Sequence, residues 1–230
     1  MPVALITGAS RGFGRAVACA LTRRGWSLIV DARRADDLAE AMRGIPDVVA
    51  VPGDVTDPGH RARLAEAAGR AGRLDVLVNN ASRLGPSPQP SLRDYPLDEL
   101  ARVYDTNVLA PLALIQLLAA PLAAAGGTIV NVSSDAAVEA YPGWGGYGSA
   151  KAALDQLTAV LTAEEPALRC YALDPGDMRT DMHQRAFPGE DISDRPEPDA
   201  VVPALLRLLD ERPPSARYRA SDLAVPAVAP

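Results

Sequence analysis

The chain has 230 residues, 48% of them hydrophobic, and a formal net charge of −6 at pH 7. This length and apolar content predict one large domain over residues 1–230 and leave no room for a second. An acidic chain without a basic cluster argues against nucleic acid or an anionic membrane surface as a partner.

The cysteines and histidines exclude two further classes of protein. Cys19 and Cys170 stand alone, as in reduced intracellular proteins, and do not form a disulfide framework. His60 and His183 lie far apart and no Cys-x-x-Cys occurs, so we expect no metal site. The first residues lack the charged lead and long apolar core of a signal peptide, and we therefore expect a cytoplasmic protein.

Residues 3–14 predict a buried strand followed by a glycine-rich turn. An apolar run leads into Thr-Gly-Ala-Ser-Arg-Gly-Phe-Gly, and a helix then continues to Arg24. Gly8, Gly12 and Gly14 let the backbone turn tightly and approach a pyrophosphate at the start of this helix. Their spacing differs from the usual Gly-x-Gly-x-x-Gly, so a glycine-rich turn without a ligand is the alternative.

The same alternation of strand and helix continues along the chain. Further strands are predicted at 28–31, 48–51, 74–78, 128–132, 168–173 and, at a sheet edge, 216–220. Helices are predicted at 35–43, 58–71, 97–125, around Tyr147 and at 199–209. This order predicts an α/β fold with a single doubly wound parallel sheet and helices on both faces. Ligands bind at the carboxyl ends of such strands, and several candidate residues fall there: Gly8, Asp54, Asn79, Ser134 and Pro175.

The long apolar stretch 108–125 needs a separate explanation. Pro111, Gln116 and Pro121 interrupt it, which argues against a membrane span. We interpret it as a helix buried between the sheet and a partner subunit. Together with the small-residue-rich helix 149–163, it predicts a homodimer or a larger assembly.

Ser134, Tyr147 and Lys151 are the candidate chemical groups. A tyrosine has an ordinary pKa near 10 and is a poor acid or base at pH 7 unless a cation favours its ionised form. Lys151 lies one helical turn after Tyr147, so its ammonium should lie beneath the phenol and lower its pKa. Ser134 ends a predicted strand and could polarise a carbonyl oxygen beside the phenol, as carbonyl reduction requires. The alternative is an ordinary amphipathic helix with an exposed lysine.

The order of these motifs resembles that of short-chain dehydrogenases/reductases over roughly residues 3–220. The resemblance is carried by the glycine turn, Asn79-Asn-Ala81, Asn107, Ser134 with Tyr147 and Lys151, and Pro175-Gly-Asp-Met-Arg-Thr180. It implies a Rossmann fold and hydride transfer between a nicotinamide cofactor and a carbonyl or alcohol. A narrower similarity to sepiapterin reductases lies in Thr7–Arg15, Gly143–Tyr147, Glu164–Pro166 and Thr180–Gln184. Similar enzymes also pair their two long helices across a twofold axis, in agreement with the predicted dimer.

The resemblance also bears on which nicotinamide is bound. At the position where NAD users of the family carry an acid for the ribose, this chain has Ala32. Arg33, Arg34 and Arg11 supply guanidinium groups that suit a 2′-phosphate, so we expect NADP(H). Solvated surface arginines are the alternative. If the strand register slips by one residue, Asp31 becomes the ribose acid and the expected cofactor becomes NAD.

By resemblance, Tyr147 is the proton donor, Lys151 lowers its pKa and holds the nicotinamide ribose, and Ser134 bonds the reacting oxygen. Asn107 would hold a water in a proton relay, unless it only bonds helix backbone. Asp54 resembles the residue beside the adenine, although a turn or cap role is equally open, and Asn79 could be structural. The further expected cofactor contacts are Ser10, Phe13, Val55, Asn80, Ala81, Pro175, Gly176, Met178 and Thr180. Ser82 stands where the family usually has glycine.

The substrate site is predicted in less detail. Two proline-containing segments, 83–96 and 183–198, are expected to be surface loops that bracket the active-site edge. Candidate substrate contacts are Trp144, Tyr141, Leu84, Met182 and Phe187, each of which could instead pack in a loop, and Asp222, which resembles the pterin anchor of sepiapterin reductases. The chain is therefore expected to be an NADPH-dependent carbonyl reductase. A biosynthetic ketoreductase or alcohol dehydrogenase, and a redox-sensing binder that has lost catalysis, are the alternatives.

Overall fold

A computed structural model describes residues 1–223 and contains one parallel sheet with the strand order β3-β2-β1-β4-β5-β6-β7. The doubly wound α/β fold is thereby confirmed. The strands are β1 Val3–Ile6, β2 Ser27–Ala32, β3 Val48–Pro52, β4 Val76–Asn79, β5 Thr128–Val132, β6 Arg169–Asp174 and β7 Arg217–Arg219.

Alternation along the strands divides the core into two layers. Ala4 and Ile6 of β1 face one layer, and Val3 and Leu5 face the other, because successive side chains of a strand point to opposite faces. Helices α1 (Gly12–Arg23), α2 (Ala35–Ala41) and α8 (Pro198–Glu211) cover the first face. Helices α3 (Pro58–Ala71), α5 (Ala110–Ala124) and α6 (Gly145–Glu164) cover the second. Both faces of the five central strands, β2, β1, β4, β5 and β6, are therefore buried, as is usual in a parallel sheet, whereas the edge strands β3 and β7 are partly exposed.

The predicted helix over 97–125 is one continuous helical stretch with an irregular centre. It consists of α4 (Leu97–Tyr104), a π-helical turn at Asp105–Leu109 and α5. Leu97–Ala124 is long and apolar enough to cross a membrane by those criteria alone. Its α5 part packs on α3 and β4, however, and Leu114, Leu118 and Leu122 are buried in the second core layer, so it is a core helix.

Three predicted segments differ from the structure. The loop over 183–198 begins inside helix α7 (Asp181–Ala186), because Thr180 caps that helix by accepting the His183 N–H at 3.2 Å. The edge strand predicted at 216–220 is shorter, since Ala220 already begins α9 (Ala220–Leu223). The first helix begins at Gly12, inside the glycine turn itself.

The sheet order reverses between β1 and β4, and this reversal forms a crevice at their carboxyl ends. Thr7 joins the two strands there: its hydroxyl accepts the backbone N–H groups of Asn80 and Ala81 at 3.0 and 2.9 Å. The Asn80 side-chain amide donates to the carbonyl oxygens of Thr7 and Gly8. These hydrogen bonds hold the backbone at the base of the crevice in place.

Candidate active site

The glycine turn at the start of α1 is closely packed. Gly8 and Gly12 have φ values of +68° and +55°, a region that favours glycine. A Cβ on Gly14 would lie 2.4 Å from Asn80 Nδ2 and 2.6 Å from the Gly8 carbonyl oxygen. No larger residue fits, and the backbone here is open to a ligand at a helix N-terminus.

The buried side chain of Asp31 bonds the backbone of this turn. One carboxylate oxygen accepts the Gly8 N–H at 2.7 Å, and the other lies 2.9 Å from His60 Nε2. Both side chains are buried, and burial raises the pKa of Asp31 despite the hydrogen bonds that lower it. Both oxygens of Asp31 are therefore occupied although the residue borders the cleft, which argues against the alternative register in which Asp31 would bind a ribose.

The cleft above the turn has a volume of about 1120 Å³ and extends along the carboxyl ends of the strands. Its lining contains most of the predicted cofactor residues: Gly8, Ser10, Arg11, Gly12, Phe13, Arg33, Arg34, Asp54, Val55, Asn80, Ala81, Tyr147, Lys151, Pro175, Gly176, Met178 and Thr180. Gly14 does not line the cleft, and its contribution is the close packing described above.

The arginines at the β2 end of the cleft are not equivalent. Arg11 pairs with Asp181 at 2.8 Å, and Arg34 pairs with Asp37 at 3.2 Å. Arg33 is exposed and has no carboxylate within 4 Å among residues 1–223. Its guanidinium is the one of the three that is free to bind an anion.

Asp54 follows β3 at the edge of the cleft. Partial burial works against its ionisation, but two hydrogen bonds from Thr56 and the charge of Arg33 hold the pKa of Asp54 below its usual value. The carboxylate therefore stabilises a turn and also lines the cleft, so the predicted turn role and the predicted position beside the adenine are compatible.

Tyr147 and Lys151 lie on adjacent turns of α6 and are both buried. Lys151 Nζ lies 5.5 Å from the centre of the Tyr147 ring and donates to the Val132 carbonyl oxygen at 2.6 Å. Ser134 lies two residues after the end of β5, and its hydroxyl lowers the pKa of the Tyr147 phenol. All three side chains line the same end of the cleft.

The expected effect of Lys151 on Tyr147 is not what the structure shows. The pKa of Tyr147 is raised to about 12, chiefly by burial and also by the charges of Asp135 and Asp174, while the hydroxyls of Ser82 and Ser134 oppose the shift. Burial also lowers the pKa of Lys151 to about 8. The ammonium donates to a carbonyl and not to the phenol, so the protein stabilises protonated Tyr147, the form that can donate a proton.

Asn107 lies in the π-helical turn and does not line the cleft. Its Nδ2 donates to the Arg83 carbonyl oxygen at 2.9 Å, while its Oδ1 accepts from the Arg83 N–H at 2.8 Å and the Ser82 hydroxyl at 3.2 Å. The side chain therefore fixes the 82–83 backbone. Ser82, which stands where the resemblance predicts glycine, donates to Asn107, and its hydroxyl lowers the pKa of Tyr147.

Arg217 supports the catalytic end of the cleft from the edge strand β7. Its guanidinium bonds Asp155 at 3.0 Å, Asp174 at 2.9 Å and the Ser134 carbonyl oxygen at 2.9 Å. These groups belong to α6, β6 and the segment after β5. No sequence signal pointed to this residue, because its partners are distant along the chain.

Asn79 has a structural role. Its amide donates to Asn131 Oδ1 at 2.8 Å, and Asn131 donates in turn to the Thr158 hydroxyl at 2.8 Å. This buried chain of hydrogen bonds connects β4 and β5 with α6. It holds in register the two strands and the helix that carry the cleft.

The predicted substrate residues are only partly brought together. Leu84, Trp144 and Met182 line the cleft beside Tyr147. Tyr141 and Phe187 stand behind Trp144, with ring centres 6.4 and 5.8 Å from its ring. Asp222 lies on α9 and does not line the cleft, so the structure does not place it in the site. Among the described residues, no group of three His, Cys, Asp or Glu side chains could hold a metal ion.

Comparison with known proteins gives the same family as the sequence motifs. The family model for short chain dehydrogenases matches residues 2–191. Sepiapterin reductase of Mus musculus is 35% identical over 201 residues, which cover 80% of this chain and 77% of that protein. D-Erythrulose reductase of Gallus gallus is 36% identical over 183 residues, covering 78% and 72% of the two chains.

A solved structure extends the similarity to the fold. The alcohol dehydrogenase of Thermococcus sibiricus complexed with 5-hydroxy-NADP matches with a TM-score of 0.84 and 29% identity over 95% of each chain. The chain thus combines the fold of this family with the motifs that the resemblance predicted: the glycine turn and the Tyr-x-x-x-Lys pair. This chain belongs to the short-chain dehydrogenase/reductase family.

Proposed function

We propose that this protein is an NADPH-dependent carbonyl reductase. The observation that carries the proposal is the convergence of Ser134, Tyr147 and Lys151 at one end of a cleft whose other end is bordered by arginines. A single elongated cleft of about 1120 Å³ suits a dinucleotide together with a small substrate.

The residues of the cleft fit the cofactor that the family implies. The glycine turn leaves backbone N–H groups at the start of α1 for a pyrophosphate, and a Cβ on Gly14 has no space. The segment with Pro175, Gly176, Met178 and Thr180 lies at the catalytic end, where it would hold the nicotinamide carboxamide. When bound, reduced nicotinamide supplies a hydride to the carbonyl carbon of the substrate.

Tyr147 supplies the proton in this proposal. Its raised pKa keeps the phenol protonated at neutral pH, and transfer of that proton to the carbonyl oxygen gives the alcohol and oxidised cofactor. Ser134 donates a hydrogen bond to the same oxygen, where negative charge develops. Lys151 is fixed by the Val132 carbonyl oxygen and holds the nicotinamide ribose.

The proposed preference for NADPH over NADH rests on the surroundings of two residues, Asp31 and Arg33. Asp31 is committed to Gly8 and His60, so no acid faces the adenosine ribose from the end of β2. Arg33 is unpaired among the described residues and suits a 2′-phosphate. A similar alcohol dehydrogenase was solved with an NADP derivative, which agrees with this choice.

A sepiapterin-reductase-like substrate is the finer part of the proposal. Its support is the similarity to the mouse enzyme and the Trp144 ring, which lines the cleft beside Tyr147. Similarity to an erythrulose reductase favours the alternative of a smaller or biosynthetic ketone. Cytoplasmic location stays a prediction, and the two free cysteines agree with it.

The proposal is tested by following NADPH oxidation with a panel of diketones, simple ketones and pterins. Turnover with at least one carbonyl compound is expected, and Tyr147→Phe should abolish it while leaving NADPH affinity almost unchanged. Tight NADPH binding without turnover of any compound would favour the redox-sensing binder. Full activity in Tyr147→Phe would refute the assigned proton donor.

A further inference from the structure

Asp135 is a carboxylate inside the proposed active site that the reaction does not use. It follows Ser134 directly, begins the 3-10 turn Asp135–Ala137 and lines the cleft. One of its oxygens accepts the Ser134 hydroxyl at 2.9 Å and the Ala136 N–H at 2.8 Å. The other accepts the Tyr141 hydroxyl at 3.0 Å. All of these donors are neutral.

The cations near Asp135 are already paired with other acids. Arg217, on the backbone side of Ser134, bonds Asp155 and Asp174. Arg219 lies 3.8 Å from Glu139. Within residues 1–223, no Lys, Arg or His comes within 4 Å of the Asp135 carboxylate. Its negative charge is therefore uncompensated in the free protein.

This charge works against the reduction of a neutral ketone. As a hydride reaches the carbonyl carbon, negative charge grows on the carbonyl oxygen, which is bonded to Ser134 and Tyr147 in the proposed function. The Asp135 carboxylate lies on the other side of the same Ser134 hydroxyl and attracts its only proton. Repulsion between the two negative groups raises the barrier unless a positive charge lies between or beside them.

The aromatic rings around Asp135 suit such a positive charge. Trp144 lines the cleft, with its ring centre 5.8 Å from that of Tyr147 and 6.4 Å from that of Tyr141. Tyr141 in turn bonds Asp135. A carboxylate beside exposed aromatic faces is the combination that binds organic cations, ammonium groups above all.

From these contacts we propose that Asp135 selects carbonyl substrates that carry a positively charged amine close to the carbonyl group. The inference rests on the proposed carbonyl reduction and names its substrate class. The substrate ammonium would pair with Asp135 and pack against the Trp144 ring, which lines the cleft. Ser134 would then be free to donate its proton to the carbonyl oxygen.

The test compares two ketones of the same shape, (2-oxopropyl)trimethylammonium and 4,4-dimethylpentan-2-one, which differ in a single positive charge. The quaternary ammonium has no N–H, so it reports charge alone at every pH. The positive charge also makes the carbonyl carbon more electrophilic, whichever enzyme reduces it. The ratio of kcat/KM for the cationic ketone to kcat/KM for the neutral ketone in Asp135→Asn measures this intrinsic effect. We expect the wild-type ratio of cationic to neutral ketone to exceed the ratio in Asp135→Asn by about fivefold or more.

Two further measurements separate charge from structure. Tyr141→Phe removes the bond to Asp135 but keeps its charge, so its ratio should stay near that of the wild type. In the wild-type protein, added salt should reduce kcat/KM for the cationic ketone only, which tests the proposal even if Asp135→Asn does not fold. Equal ratios in wild type and Asp135→Asn, or no salt effect, would overturn the role of Asp135. Failure of the proposed function looks different, because then neither ketone nor any other carbonyl compound is reduced.

Discussion

Asp31 and His60 form a buried pair directly behind the glycine turn, with 2.9 Å between Asp31 Oδ2 and His60 Nε2. The second oxygen of the same carboxylate holds the Gly8 N–H at 2.7 Å. An acid at the end of β2 would normally suggest a ribose contact. Here it anchors the glycine turn to β2 and α3, and Ala32 takes the opposite face of the strand.

The first prediction concerns this anchor. Asp31→Ala leaves the Gly8 N–H and the His60 imidazole without a buried partner, which should lower the free energy of unfolding by about 2–4 kcal/mol. Denaturant unfolding measures this loss. Binding of NADPH and NADH should weaken together, while Asp31→Asn, which keeps an acceptor, should be milder. A selective loss of NADH affinity in Asp31→Ala would contradict the inward orientation.

Arg33 should set the cofactor preference. Arg33→Ala removes a charge-assisted contact to the 2′-phosphate and should weaken NADPH binding about ten- to a hundredfold, with NADH nearly unaffected. The measurement is the dissociation constant of NADPH and of NADH for the wild type and for Arg33→Ala. Arg34→Ala is the matched control, and its effect should be smaller because Arg34 already pairs with Asp37. Equal effects on NADPH and NADH would remove the basis for the preference.

Lys151 should lower stability in a pH-dependent way. Its pKa falls from 10.5 to about 8 in the folded protein, so the unfolded chain binds the extra proton between these values and wild-type stability rises with pH across that window. Below about pH 8 the folded protein carries the full penalty of a buried ammonium.

Lys151→Met should therefore abolish turnover and yet raise the free energy of unfolding below pH 8 by about 1–3 kcal/mol. This gain should disappear as the pH approaches 10.5, the ordinary pKa of the side chain. Urea unfolding at several pH values measures it. A destabilisation that is the same at every pH would mean that the bond to Val132 outweighs the cost of burial.

Ser82 should tune the phenol of Tyr147. In alcohol oxidation the phenolate is the base, so kcat/KM rises with pH through the pKa of Tyr147. Ser82→Gly removes a hydroxyl that lowers this pKa, so less phenolate is present at any pH below the pKa of Tyr147, and kcat/KM for alcohol oxidation at a fixed pH near 9 should fall about three- to tenfold. Ser82→Ala should do the same without the added backbone freedom of glycine. Unchanged kcat/KM in both variants would show that Ser82 only supports Asn107.

The predicted assembly has a definite candidate surface. Leu109, Leu117 and Val160 are exposed by 53%, 49% and 42% on the π-helical turn, α5 and α6. We expect a homodimer or larger assembly by light scattering at micromolar concentration, which Leu117→Glu should weaken. Val49→Glu, on the edge strand β3, is the control and should leave the mass unchanged. A monomeric wild type would refute the prediction.

The amino-acid sequence alone determined the architecture and the main chemical groups. Strand and helix periodicity places Val3–Ile6, Thr128–Val132 and Pro58–Ala71 with little or no error, because burial on both sheet faces imposes long apolar runs. The Tyr-x-x-x-Lys spacing and the glycine turn are local in sequence. The relative positions of the residues in each motif are therefore set by the local backbone conformation alone.

Only the tertiary structure decided how these groups are paired and how easily they ionise. The pairs Asp31–His60, Ser82–Asn107 and Arg217–Asp155 are separated by long stretches of chain and carry no local spacing signal. Whether Lys151 lowers the pKa of Tyr147 depends on burial and on the Val132 carbonyl oxygen, both of which exist only after the sheet and α6 pack together. Hydrogen-bond direction and desolvation are properties of the packed core, whereas periodicity and motif spacing are properties of the chain.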